Sequence, residues 1–547
     1  MSSDLLPRSQ LNTVLHALLC ATKNRNADYA KTTDLRRFLI RVNQPNPRHP
    51  RSIFRASTIA RLGLSGLALL LLAWLLATLP LPLVGLLLAV VGGGLLLLRH
   101  PWLVWPGIAL LLPITSGIKA GPLSATDLLL AGAVVLWFAD GVRRRSVRLD
   151  PPPLAAWVAP YLAVLLLSSY TAINLTEAVT EVIKWTELLL VVWLVGQTLT
   201  PAQSRWLVLA LLAGGAAQGL LGVYQFLFRI GPDAFVLLGR FMRAAGRFHQ
   251  PNPYAGYLGL TLPVAISLAL WGWQRLTGKV GLTVRRTEAL VWALLYSGLA
   301  GVLGAGLLAS WSRGGWLGAA AGVGLVVLAR SRRMLMAGLV ALLALLLWGA
   351  MGGLNPDVLP APITERLADV PAYLGVGIEQ IVAQPVNDEN FSVIERLAHW
   401  LAAERMWEMA PWLGVGPGSY ATVYPQVRLP FWEDALGHAH NIYLNVLAET
   451  GLIGLAAYLL MGGGIVGWLW RQTRQQRPGS WEQALLVGVL GVVAHLTVHQ
   501  LFDNLYVQGI QLQLALWLGV AVAQSRRISL AETQRRGEKQ EALTHPM

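Results

Sequence analysis

Two histidines, His438 and His440, stand where a long polar insertion runs back into an apolar block, in HAHNIYLNVLAETGLIG (438–454). Imidazole is the side chain whose unperturbed pKa permits proton transfer near neutral pH, so His440 is a candidate for taking a proton from a sugar hydroxyl. Arginine supplies the second chemistry. Arg313 lies in LLASWSRGGWLGAA, between two apolar blocks. A charge at membrane depth costs about 2.5–3.5 kcal/mol on insertion scales, and the small neighbours Gly314 and Gly315 are expected to leave its head group open to a ligand. Segment 229–253 carries Arg229, Arg240, Arg243 and Arg247 against one acid, Asp233. Segment 354–440 holds eleven acids, four arginines and no lysine, so Arg396 and Arg405 run against the local trend. A guanidinium fork matches phosphate oxygens in pairs; arginines gathered near a membrane surface are what a lipid-linked phosphate or pyrophosphate requires. Snorkelling, or pairing with nearby acids, is the competing explanation for each of them. His495 and His499 form an i, i+4 pair with Asp503 a further turn on, which reads as a satisfied buried polar cluster ahead of a metal site or proton relay.

These groups need a scaffold, and composition says which kind. Of 547 residues, 55% are hydrophobic and 13% charged; soluble domains carry about 25% charged residues, so a cytosolic globular enzyme is excluded. A helix crosses the hydrocarbon layer with about 20 apolar residues, and such blocks recur at 59–79, 81–98, 101–118, 126–141, 154–170, 178–199, 205–228, 254–273, 289–310, 314–330, 334–353, 447–470, 483–503 and 506–523. The expected architecture is an all-α, polytopic transmembrane helix bundle of about 12–14 spans with one large, partly helical external loop.

The net charge of +15 does not point to nucleic acid, because the basic residues cluster in short gaps: Arg143, Arg144, Arg145 and Arg148; Arg275, Lys279, Arg285 and Arg286; Arg330, Arg332 and Arg333; Arg471, Arg474 and Arg477; Arg526 and Arg527. Such clusters hold a loop on the cytoplasmic side. With that parity both termini are cytoplasmic and the segments 229–253 and 354–440 face outward. The organisation expected is a basic tail over 1–57, a first bundle section over 58–353, the external loop over 354–440, a second bundle section over 441–525 and a cytoplasmic tail over 526–547. Inside the large loop, Ser392 and Glu395 have capping-box spacing ahead of the helical pattern VIERLAHWLAAERMWEMA, Pro411 ends it, and PWLGVGPGSY reads as a glycine-rich turn. Cys20 is the single cysteine, and neither a P-loop nor a D-x-D pair occurs, which argues against an ATP site and a Mg-dependent nucleotide-sugar transferase.

Taken together, GRFHQPNPYAGYLGL (246–260), SWSRGGWLG (310–318), the Arg396 helix with PWLGVGPGSY, and the spacing His440-Asn441-x-x-Leu444 followed by Gly451 resemble the O-antigen ligase and polymerase superfamily of bacterial membrane proteins. The resemblance covers residues 60–525 and implies a metal-independent glycosyltransferase of GT-C type without a cofactor. It would move a glycan from an undecaprenyl-pyrophosphate donor to the hydroxyl of a lipid or glycan acceptor, at the outer face of the bacterial plasma (inner) membrane. On the matching positions it makes His440, Arg313 and Arg396 catalytic, and Arg247, His249, Asn252, Ser312, His438, Asn441 and Tyr443 substrate-binding. No metal ligand is implied. A repeat-unit polymerase and a protein-glycosylating ligase would use the same residues. A bicarbonate or solute transporter is the alternative from another class; it should place its polar groups at mid-membrane on broken helices in two related halves.

Overall fold

The computed structural model describes residues 80–115, 117–120, 123–147, 149–237, 239–277, 286–329, 377–386 and 390–526, with isolated positions besides. Contacts divide the chain into two units, Met1–Gly93 and Gly94–Met547. Of the first, the described part is chiefly the start of helix Leu81–Arg99; everything below concerns the second. The basic tail, the blocks at 59–79 and 334–353 and the start of the large loop lie outside the described residues, apart from isolated positions.

The chain is an all-α polytopic bundle, and its β content among the described residues is two small hairpins. Seven described helical segments are long and apolar enough to cross a membrane, among them Ala125–Arg143, Ser204–Phe228, Arg286–Ala309, Trp481–His499 and, taken as one span, Pro251–Leu276; three shorter apolar ones include Arg313–Leu328. The apolar block expected at 254–273 is two helices, Pro251–Gly259 and Leu262–Leu276. The joint is stabilised from a neighbouring helix (residues 510–526), where Gln513 Nε2 donates to Tyr257 O at 3.0 Å and to Thr261 Oγ1 at 2.8 Å.

Lipid tails are as apolar as leucine, so membrane helices associate through close packing, not through exclusion of water. Small residues supply it here. A Cβ added to Gly314 would stand 2.8 Å from His499 Cδ2, one on Gly318 2.9 Å from His495 Nδ1, and one on Gly322 2.5 Å from Gly491 O. Helices Arg313–Leu328 and Trp481–His499 therefore meet almost backbone to backbone, and the crossing sets the height of Arg313 against the end of its partner. This corrects the expectation for Gly314 and Gly315. Gly314 makes room for His499, and a Cβ on Gly315 would meet Ala255 Cβ at 2.8 Å; both serve the packing.

The loop helix runs from Phe391 to Met409, ahead of Pro411 as expected, but the expected capping box is absent. Asn390 is the N-cap and makes no side-chain cap bond, and Ser392 already lies inside the helix, where its carbonyl accepts from Arg396 Nη1 at 2.6 Å. The glycine-rich turn that follows is a clamp. Val415 and Gly416 donate their N–H groups to Ala448 O and Glu449 O, each at 3.0 Å, and Leu452 N donates to Pro411 O at 2.9 Å. The receiving helix, Ile442–Gln475, breaks at Gly451, whose φ of 65° and ψ of −168° are non-helical. A Cβ there would run into the backbone of Trp412. Gly451 is thus required twice, by conformation and by space.

Substituting Gly451→Ala should destabilise the protein by about 3 kcal/mol or more, since positive-φ strain of 1–3 kcal/mol adds to the clash. Gly467→Ala in the same helix, where an added Cβ meets nothing within 4 Å, should be neutral or mildly stabilising. Thermal unfolding of the two variants in detergent distinguishes them.

Candidate active site

One end of the bundle collects the C-terminal end of helix Trp481–His499, the start of Arg313–Leu328, the start of Ile442–Gln475 and the loop helix. Asp503 is the residue around which these elements converge. It is 6% exposed and is not a further turn of the histidine helix, which ends at His499. The chain turns there, and Ile442 N donates to Gln500 O at 3.0 Å. That bond ties the stretch carrying His438 and His440 to the stretch carrying Asp503.

His440 Nδ1 lies 3.4 Å from Asp503 Oδ1 and His438 Nε2 lies 3.7 Å from the same oxygen. His440 holds a left-handed backbone (φ 51°), unusual for a residue with a Cβ and costing about 1–2 kcal/mol. Its N–H donates to His438 Nδ1 at 3.1 Å. His438 Nδ1 is therefore an acceptor, which assigns the ring proton to Nε2, the nitrogen turned toward Asp503. Neither ring nitrogen of His440 makes a hydrogen bond of good geometry among the described residues; Nδ1 has only its 3.4 Å contact with Asp503, and Nε2 has no partner. Beneath it lies His399, with ring centroids 5.6 Å apart. That ring stacks on Tyr424 and its Nδ1 lies 2.9 Å from Tyr420 Oη.

Three guanidiniums border this group. Arg396 comes from the loop helix, with Nε donating to Phe502 O at 3.3 Å and Nη1 to Ser392 O. Arg313 opens helix Arg313–Leu328 directly behind its N-cap Ser312. Arg243 follows the hairpin of Val236–Leu237 with Phe241–Met242 and donates from Nε to Ser310 O and from Nη2 to Asn252 Oδ1, both at 3.1 Å. Burial lowers Arg243 to about 10, the charges of Arg396 and Arg313 push the same way, and Asp503 opposes them. The three arginines and the carboxylate thus share one field.

The histidines respond to it. Burial takes His438 down to about 4, against the pull of Asp503 and with the push of His440 and Arg396; burial and the two neighbouring imidazoles take His399 to about 4. Burial alone would raise Asp503, but contact with His440 and the charges of His438 and Arg396 hold its carboxyl well below the usual range. His438, His440 and Asp503 also place three potential ligand atoms within 4.8 Å of one another. For His438 to offer Nε2 to a metal, its ring would have to give up the bond from His440 N–H.

The sequence-predicted residues divide accordingly. Arg396, His438 and His440 come together around Asp503, and Arg313 joins them through Arg243, which feels the charges of Arg313, Arg396 and Asp503. Asn252 holds Arg243. Ser312 Oγ accepts from Gly315 N and Asn441 Oδ1 from Tyr443 N and Leu444 N, so both cap helices; Tyr443 Oη donates to Thr497 O. Arg247 is exposed and is held through its backbone, its N–H donating to Gln218 Oε1 at 3.0 Å; exposed His249 likewise donates its N–H to Gln508 Oε1 at 3.2 Å. Sequence reasoning passed over Gln218 and Gln225, which fix the arginine loop: Gln225 Oε1 accepts from Ala245 N and Gly246 N. Two glutamines seven apart in an apolar helix were the available signal. Nothing local distinguished Arg243 from Arg247.

A pH dependence follows from the two depressed histidines. Their folded values near 4 lie below the unfolded value of about 6.5, so the unfolded chain takes up protons first as pH falls. The stability they contribute is complete above about 6.5 and is lost progressively toward 4. The melting temperature should drop between pH 7 and pH 5. His438→Asn, whose Oδ1 can still accept from His440 N–H, should flatten the drop.

No curated protein matches the chain. Residues 298–459 match the family described as O-antigen ligase (Wzy_C). The matched stretch begins within helix Arg286–Ala309, ends within Ile442–Gln475 and contains Arg313, Arg396 and His440. Over that stretch the chain is similar to an O-antigen ligase domain, set within a multi-pass helical membrane protein.

Proposed function

We propose that the protein transfers a glycan from undecaprenyl pyrophosphate to an acceptor hydroxyl at the outer face of the plasma membrane, with inversion at the anomeric carbon and without a metal. The observation that carries this reading is the His440–Asp503 contact bordered by Arg243, Arg313 and Arg396. The acceptor oxygen attacks the anomeric carbon from the side opposite the pyrophosphate. A carbon–oxygen bond forms there while the bond to the pyrophosphate breaks, and its electron pair leaves with the phosphate. Fixed guanidiniums stabilise that developing charge, the role that usually contributes most in such sites. His440 takes the acceptor proton and Asp503 stabilises the imidazolium that results, as in hydrolytic triads. Three fixed cations do the electrostatic work of a metal, and the proton on His438 Nε2 is consistent with metal independence.

The outward orientation is supported by charge. The basic ends of helices Ala125–Arg143 and Ile442–Gln475 point away from the candidate site, as cytoplasmic loops should. The site lies at one end of the bundle, whereas a transporter would carry its polar groups at mid-membrane. Ligase and repeat-unit polymerase share this donor chemistry and differ in the acceptor.

The test is reconstitution in liposomes with a lipid-pyrophosphate glycan, candidate acceptors and EDTA, reading release of undecaprenyl pyrophosphate. Wild type should turn over. His440→Ala, Arg313→Ala and Arg396→Ala should each lose about 10²-fold or more. Arg243→Ala should lose a comparable factor, while Arg247→Ala should lose less than about ten-fold. Activity that needs an added divalent ion, or solute flux without glycan transfer, overturns the proposal.

A further inference from the structure

Beside the histidine–aspartate group lies a cavity of about 120 Å³ whose lining differs in character from that group. Gly437 and Ile442, flanking the histidine stretch, and Asn504, next to Asp503, are part of its wall. Its other polar groups come from two helices. Leu175–Thr198 contributes Glu177, Glu181 and Lys184; Ile442–Gln475 contributes Asn445 and Glu449. Glu181 and Lys184 form an ion pair. Asn445 Oδ1 accepts from Ala439 N, and Glu449 accepts from Tyr420 N.

The base of the cavity is aromatic. Trp185 lies edge-on to Tyr161 at 4.9 Å and to Tyr506 at 4.8 Å. Tyr161 is 2% exposed and lines the cavity, yet its hydroxyl makes no hydrogen bond among the described residues. The hydroxyl therefore faces the cavity as a free donor, available to an occupant that brings an acceptor. Carboxylates and amides at the wall with aromatic rings at the base suit a ligand with a hydroxyl rim and an apolar C–H face. A pyranose has both. The charges of the two neighbouring sites are opposed: three guanidiniums beside Asp503, and here Glu177 and Glu181 against the single lysine, Lys184.

We infer that this cavity is the subsite for the acceptor sugar, that it takes an uncharged monosaccharide unit, and that it rejects one carrying phosphate. The inference rests on the glycosyl-transfer reading and assigns its two halves: the diphosphate lies toward the arginines, and the accepting sugar lies toward Glu181 and Tyr161, with one hydroxyl directed to His440.

Saturation-transfer NMR on the full chain in lipid nanodiscs tests this without requiring turnover. The probes are methyl glycosides of glucose, galactose and N-acetylglucosamine, and their 6-phosphates. At least one neutral glycoside should receive saturation and its 6-phosphate should not. Tyr161→Phe and Glu181→Gln should each weaken binding about five-fold, the effect of one lost hydrogen bond, while Arg313→Ala should leave it unchanged; unaltered melting temperatures establish that both cavity variants are folded. The inference is overturned if no glycoside binds, if binding survives both cavity variants undiminished, or if the phosphorylated sugars bind equally well. Transfer that persists without glycoside binding sinks the subsite alone. Binding without any transfer sinks the enzymatic reading instead.

Discussion

A buried carboxylate is the constraint on which the rest of this structure depends. Asp503 sits among His438, His440, Arg396 and the field of Arg243. Guanidiniums brought together away from bulk water repel one another strongly, because little dielectric screening remains. One fixed anion among them lowers that repulsion and leaves a net positive pocket, suited to a diphosphate. The same anion orients an imidazole. Removing it would leave the cations without compensation and the histidine without a counter-charge.

How Asp503 reaches that position is a matter of backbone. Helix Trp481–His499 stops short of it, and the bond from Ile442 N to Gln500 O joins the turn beyond the helix to the entry of the next functional segment. The glycine contacts with His495 and His499 hold helix Arg313–Leu328 at a fixed height. The clamp of residues 411–416 on the kink at Gly451 fastens the loop, and with it Arg396, to the same helix that begins after His440. Three separate stretches of chain thereby present charged side chains to one place, with little freedom to drift apart.

Sequence patterns were informative in proportion to how local their cause is. The apolar blocks at 126–141, 205–228 and 289–310 fall on helices Ala125–Arg143, Ser204–Phe228 and Arg286–Ala309 within a few residues, because length and hydropathy are properties of a single segment. Ser392 and Glu395 had the right spacing for a capping box, but the helix starts two residues too early for it; cap positions depend on where the preceding chain enters. PWLGVGPGSY reads as a glycine-rich turn, yet the N–H groups of Val415 and Gly416 reach across to Ala448 and Glu449. Which acceptor a free N–H finds is decided by whatever lies across from it.

From its residues alone the chain was committed to a membrane bundle, to arginines gathered in its longer polar segments and to a histidine where the large loop meets the next apolar block, since hydropathy, charge bias and motif spacing are written along one dimension. The resemblance carried by His440, Asn441, Leu444 and Gly451 also lies within one short stretch. Folding in three dimensions settled what those patterns could not: that Asp503 faces His440, that Arg243 joins Arg313 and Arg396, and that glycines beside Arg313 exist for helix contact. Each of these is an encounter between segments far apart in the chain, and electrostatic partnership depends on distance through space, which spacing along the sequence does not encode.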